Sequence, residues 1–106
     1  MPAATAKTDW ALPRLIAHRG ASIEAPENTL AAIARAADRG AGGVELDVAI
    51  SADGVPVILH DDTLDRTTNG TGPVIDQPYP ALAQLNAGSW FSKEFDGERL
   101  PTLAAA

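Results

Sequence analysis

Six side chains in this sequence have the types and spacing to do chemistry. His18 and Arg19 stand together before Gly20, Glu45 and Asp47 are two apart, His60 closes a later apolar run, and Glu27 lies between the first and second of these groups. Two carboxylates at i and i+2 on a strand point to one face and offer oxygen ligands to a hard divalent cation such as Mg²⁺ or Ca²⁺. Taken alone, a Glu-x-Asp is more often the solvent face of an edge strand, His18 a satisfied core histidine and Arg19 a surface ion-pair partner. In combination they offer a proton donor, a proton acceptor and a bidentate anion clamp around a metal, parts that suit phosphoryl transfer. Glu27 has two readings, a carboxylate favoured at a helix N-terminus or a supporting partner of His18 or Arg19. Asp61 and Asp62 read as loop formers, and Trp90 with Phe91 as a small apolar cluster.

The elements that must position these residues begin with Leu15-Ile16-Ala17, a short apolar run ending on His18, which suits a buried strand. Asn28 is a candidate N-cap. After it Leu30, Ile33, Ala34, Ala37 and Ala41 form an apolar stripe and Gly40 is placed to stop the chain, so residues 28–40 are expected as one amphipathic helix packed on the strand before it. From Val44 to Ile50 the chain alternates, with Val44, Leu46, Val48 and Ile50 on a face that should pack and Glu45, Asp47 and Ala49 on the other. Strand, helix, strand implies parallel pairing through a right-handed crossover.

Asp53-Gly54 is a two-residue hairpin signal leading into a strand from Val55 to His60. A turn on those two residues sets Ala52 opposite Val55, Leu59 opposite Val48 and His60 opposite Asp47, which would bring His60 beside the carboxylates. Residues 61–100 change texture, with Thr, Gly, Asn and Asp early and Pro78, Pro80, Gly88 and Gly97 later. They read as an irregular excursion outside the sheet, with a helical turn or two at Ala81 to Leu85. Leu100-Pro101-Thr102-Leu103 reads as the opening of another helix with Thr102 as its cap.

Composition narrows the function classes. The 106 residues carry 8 Lys+Arg against 14 Asp+Glu, a net charge of −6, which lacks the basic footprint of a nucleic-acid binder. A 45% hydrophobic content and mean hydropathy of −0.04 fit a globular chain. There is no cysteine, so no disulfide framework or thiolate chemistry. No apolar run approaches the ~20 residues of a membrane span and residues 1–20 hold no signal-like apolar region, so a cytoplasmic location is expected. Residues 1–13, small, polar and Pro-containing, read as a loosely held arm with Trp10 as its anchor.

The ordered set His18-Arg19-Gly20, Ala25-Pro26-Glu27-Asn28-Thr29-Leu30, Glu45-x-Asp47, Asp53-Gly54 leading to His60-Asp61, and Leu64-Asp65-Arg66-Thr67-Thr68-Asn69-Gly70-x-Gly72 resembles the N-terminal part of the glycerophosphodiester phosphodiesterase family. Ala87-Gly88-Ser89-Trp90-Phe91 and Leu100-Pro101-Thr102-Leu103 extend the resemblance toward the bacterial cytoplasmic type. It implies an α/β fold, the N-terminal portion of a (β/α)₈ TIM-type barrel, over residues 14–106, with 61–100 as a small inserted subdomain. It implies hydrolysis of glycerophosphodiesters to sn-glycerol 3-phosphate and an alcohol, with His18 and His60 as the acid/base pair, Arg19 on phosphate, and Glu45 and Asp47 as ligands of Mg²⁺ or Ca²⁺. A barrel of that kind takes about 250 residues, and the family's third carboxylate ligand and site lysine have no counterpart here. A chain of these residues alone is therefore expected to be poorly active or inactive and marginally folded. Other readings are a non-catalytic fragment or interaction module, and a phospholipase D-like or sphingomyelinase D-like enzyme on the same scaffold.

Overall fold

The computed structural model of the protein describes residues 15–106, so the expected arm at 1–13, with Trp10, lies outside the described residues. The elements are β1 (Ile16–His18), α1 (Leu30–Asp38), β2 (Gly43–Glu45), β3 (Val48–Ile50), β4 (Pro56–Ile58) and α2 (Tyr79–Leu82), with single 3₁₀ turns at Val74–Asp76 and Lys93–Phe95. As expected, β1 and β2 pair in parallel around α1, with Ile16 opposite Gly43, Ala17 opposite Val44 and His18 opposite Glu45. Among the described residues no helix is long and apolar enough to cross a membrane.

The helix starts later than expected. Thr29 caps it: its backbone is extended and its Oγ1 accepts from the Ala32 amide at 3.2 Å. Asn28 is instead left-handed, with φ of 58°, a conformation asparagine tolerates better than most residues. At the other end Gly40, with φ of 82°, donates to Ala37 O at 3.0 Å and Ala41 to Ala36 O at 3.1 Å, the paired bonds of a Schellman stop. The packed side of α1 also differs. Ala32 and Ala36 are buried while Leu30, Ala34 and Ala37 of the expected stripe are exposed, because the helix leans on the 20–25 loop and Phe95 rather than through that stripe. Gly20 makes this approach possible, since a Cβ there would lie 2.8 Å from the Ala32 backbone.

The run 44–50 is two strands, interrupted at Leu46 and Asp47, and its apolar side does not pack: Val44, Val48 and Ile50 are exposed. The hairpin register is also one residue off the expected one. Val48 faces Ile58, Ala49 faces Val57 and Ile50 faces Pro56. The cause is a three-residue loop, Ala52-Asp53-Gly54, closed by the Ser51 amide on Val55 O at 3.0 Å, with Gly54 left-handed at φ of 82°. His60 is therefore not the cross-strand partner of Asp47; the Leu59 amide donates to Asp47 O at 3.0 Å instead.

The main core joins β4 to the excursion. Val57, Leu59, Leu64, Val74, Leu82, Ala87 and Leu100 form one buried cluster. A second cluster of Ala25, Ala32 and Phe95, with Phe91 against it, ties the excursion to α1. Trp90 and Phe91 are thus not a separate core of the excursion: Trp90 lies edge-on to Phe91 and stays partly exposed, its Nε1 donating to Ala87 O at 2.9 Å. Around Leu100–Leu103 the chain runs beside β4 before it turns. Ile58 donates to Pro101 O at 2.9 Å and Leu103 to Pro56 O at 3.0 Å, and only then does Thr102 cap a turn by accepting from Ala105.

Candidate active site

The parallel register sets the site. His18 ends β1 and Glu45 ends β2, so both stand at the C-terminal ends of neighbouring strands, with His18 Nε2 3.6 Å from Glu45 Oε1. The chain then turns sharply. Arg19 is left-handed at φ of 57° and its amide donates to Glu45 O at 2.6 Å, while its carbonyl accepts from Asn28 at 3.0 Å. Two neighbouring non-glycine residues held in this region, each at a cost of about 1–2 kcal/mol, are the kind of backbone strain that clusters at functional sites.

Asn28 is the residue whose role the sequence did not disclose. Its Nδ2 donates to Asp47 Oδ2 at 3.1 Å and its Oδ1 accepts from the Asp47 amide at 3.3 Å, so it fixes Asp47 from both sides just where the strand is interrupted. Its burial and left-handed backbone, rather than any helix signal, explain the choice of asparagine. Glu27, one residue earlier, touches one of the two partners that its second reading named. It accepts from Arg19 Nη1 at 3.1 Å and makes no contact with His18 among the described interactions.

Glu27 also receives Arg66, a residue the sequence placed only in a loop motif. Arg66 Nη1 and Nη2 bind the two Glu27 oxygens at 3.0 and 2.9 Å, and its Nε and Nη2 bind Asp61 at 2.9 and 3.0 Å. Asp61 in turn lies 2.7 Å from His60 Nδ1. Arg66, and after it His60, hold the Asp61 carboxyl far below the usual carboxylate range, and its two carboxylate partners push the Arg66 guanidinium further up. The expected site residues therefore divide into a group of His18, Arg19, Glu27, Glu45 and Asp47 in mutual contact and His60 on the far side of Asp61 and Arg66. His18 borders a cleft of about 280 Å³ with Ser22 and Ile23, and His60 a separate one of about 510 Å³ with Ala49 and Val74.

Two observations bear on a cation. Arg19 Nε is buried without a hydrogen-bond partner, 3.4 Å from Asp47 Oδ2 but not aligned with it. Four carboxylates, Glu27, Glu45, Asp47 and Asp61, meet only two guanidiniums, Arg19 and Arg66, so an anionic ligand would be repelled without added positive charge. Oxygen donors from Glu45 and Asp47 suit a hard divalent ion, but supply only part of its shell of about six to eight ligands. Among the described residues no group of three or more His, Cys, Asp or Glu side chains could hold one.

Comparison with known proteins decides the family: residues 18–106 match the sequence model of the Glycerophosphoryl diester phosphodiesterase family. The chain belongs to this family. Over 93 residues it is 53% identical to glycerophosphodiester phosphodiesterase 1 of Bos taurus, covering 86% of this chain and 28% of that one. Over 89 residues it is also 53% identical to glycerophosphodiester phosphodiesterase of Caldanaerobacter subterraneus subsp. tengcongensis, covering 84% and 37%. Identity is thus equal toward a mammalian and a bacterial member. Among solved structures, glycerophosphodiester phosphodiesterase from Agrobacterium tumefaciens superposes with a TM-score of 0.84 at 50% identity, over 87% of this chain and 40% of that one. An Oleispira antarctica phosphodiesterase in complex with the product sn-glycerol-3-phosphate gives 0.87 at 52% identity, over 89% and 38%. The chain therefore spans about a quarter to two fifths of these family members, as a partial barrel with a parallel β–α–β unit would.

Proposed function

We propose that these residues are the phosphate-facing part of an enzyme that hydrolyses glycerophosphodiesters to sn-glycerol 3-phosphate and an alcohol. The observation that carries the proposal is the register of His18 against Glu45 at one end of two parallel strands, with Arg19 held beside Asp47 by a strained turn. Family membership and the product-bound Oleispira relative support the substrate class. In this reading the strands are the opening of a (β/α)₈ barrel, the usual setting for a site at the C-terminal ends of strands, and residues 61–100 are a small insertion in it.

Arg19, oriented by Glu27 and Asp47, offers its guanidinium to a phosphodiester oxygen. Glu45 and Asp47 would hold Mg²⁺ or Ca²⁺, which when bound supplies positive charge beside that oxygen. The glycerol hydroxyl next to the phosphodiester attacks phosphorus, one histidine takes its proton, and the other gives a proton to the departing alcohol. His18 and His60 are the pair available for those two transfers, and water then opens the cyclic phosphate. Such positioned proton transfers contribute about 10²–10⁴-fold each.

The test is turnover of glycerophosphocholine with Mg²⁺ or Ca²⁺ by the full polypeptide that carries these residues. Choline release lost by at least about 10²-fold in His18→Ala and in His60→Ala supports the reading; release of phosphocholine, or full activity in both variants, overturns it. A chain of residues 1–106 alone, with two carboxylates for the cation, is expected to release little choline under the same conditions.

A further inference from the structure

The two histidines are held in different ways. His18 meets Glu45 at 3.6 Å and is largely exposed, and among the described residues no hydrogen bond fixes which of its ring nitrogens carries the proton. His60 has Nδ1 at 2.7 Å from Asp61 Oδ1, and Asp61 is gripped on both oxygens by Arg66. Arg66 is gripped in turn by both oxygens of Glu27, a nearly buried side chain that also binds Arg19. An ionised carboxylate can only accept, so the Asp61 contact requires a proton on His60 Nδ1.

We propose that Asp61 and Arg66 are positioning residues that hold His60 in the Nδ1–H tautomer, which makes Nε2 the ring atom that takes or gives the proton. Arg66 spends both edges of its guanidinium on two carboxylates from different parts of the chain, so it locks the segment after β4 to the loop before α1. One continuous polar chain then runs from His60 through Asp61, Arg66 and Glu27 to Arg19, coupling the placement of the proton-transfer group to that of the anion clamp. Hydrogen bonds from Arg66 and then His60 hold the Asp61 carboxyl well below the usual carboxylate range, which favours the accepting, ionised form on which this orientation depends.

The inference rests on the proposed hydrolase reading for its catalytic meaning, but its test does not. The sequence has 2 histidines, so long-range ¹H–¹⁵N correlations of the labelled chain read each ring separately once His18→Gln and His60→Gln assign them. Neutral His60 is expected wholly as Nδ1–H. Asp61→Ala should move it to the Nε2–H form that a free histidine side chain favours, with His18 signals unchanged. Asp61→Asn, whose amide can accept or donate, should give a mixture and decides the matter if the alanine variant does not fold. Finding Nε2–H in the unaltered protein, or unchanged Nδ1–H in both variants that fold, overturns the proposal. Turnover of glycerophosphocholine in the full polypeptide is expected to fall about 10–100-fold in Asp61→Ala and Arg66→Met, the usual range for a group that orients another. A tautomer change without turnover in any form would leave the positioning intact and remove the hydrolase reading.

Discussion

The core that β4 shares with residues 61–100 and the strands β1, β2 and β3 use apolar residues in opposite ways. Val57 and Ile58 of β4, Leu82 of the single-turn α2 and Leu64 of the irregular chain are at most 2% exposed. Ile16, Val44, Val48 and Ile50 lie in regular strands yet are 37–50% exposed. Regular secondary structure and burial are therefore uncoupled here. Those three strands carry apolar side chains that the described residues do not cover, whereas β4 and the aperiodic excursion together close a core.

The sharpest way to break that comparison is truncation on each side. Leu82→Ala should destabilise the chain by about 2–5 kcal/mol and Ile50→Ala by less than about 1 kcal/mol, read from urea unfolding; equal losses would mean that the exposed strands are packed in solution. Gly20→Ala tests whether the chain after β1 is tightly specified where it touches the site. The clash with the Ala32 backbone and the left-handed φ predict a loss of about 1–3 kcal/mol, with a displaced His18 signal. Thr29→Ala should cost about 1 kcal/mol, seen as lower helicity confined to α1.

Acid titration gives a smaller effect. Asp61 has a folded-state pKa below its unfolded value, so the stability it adds is present above about pH 4 and fades as pH falls below that. Asp61→Asn should therefore flatten the acid limb of a thermal-stability profile and leave its slope near neutrality unchanged. Least of all is expected from Glu24→Ala, which removes an exposed cluster with Arg35 and Arg39 and should leave the unfolding midpoint where it was.

The sequence disclosed the local chemistry of this site better than its three-dimensional assembly. The Gly40 stop could be read from local spacing, and the strand–helix–strand order was enough to expect the parallel pairing that brings His18 beside Glu45. What could not be read depended on distant partners. Gly54 in a three-residue loop shifts the hairpin by one place, and a period of two converts that into the opposite face for every later side chain. Asn28 looked like a helix cap because nothing local showed that Asp47 would come to it. Asp61 and Arg66 looked like loop polarity, since their role exists only once Glu27, 39 residues from Arg66, is beside them. The residues that position the site were thus less visible than those that would act in it.

The bonds from Ile58 to Pro101 O and from Leu103 to Pro56 O bring the entry and exit of the excursion side by side. Topologically, the segment between them is a closed loop hung from one point of the sheet. Closure entropy grows only slowly with length, by about 0.6 kcal/mol for each doubling. The length of this loop therefore matters less to stability than the packing of Leu64, Val74 and Leu82 within it, while His60, Asp61 and Arg66 lie at its base.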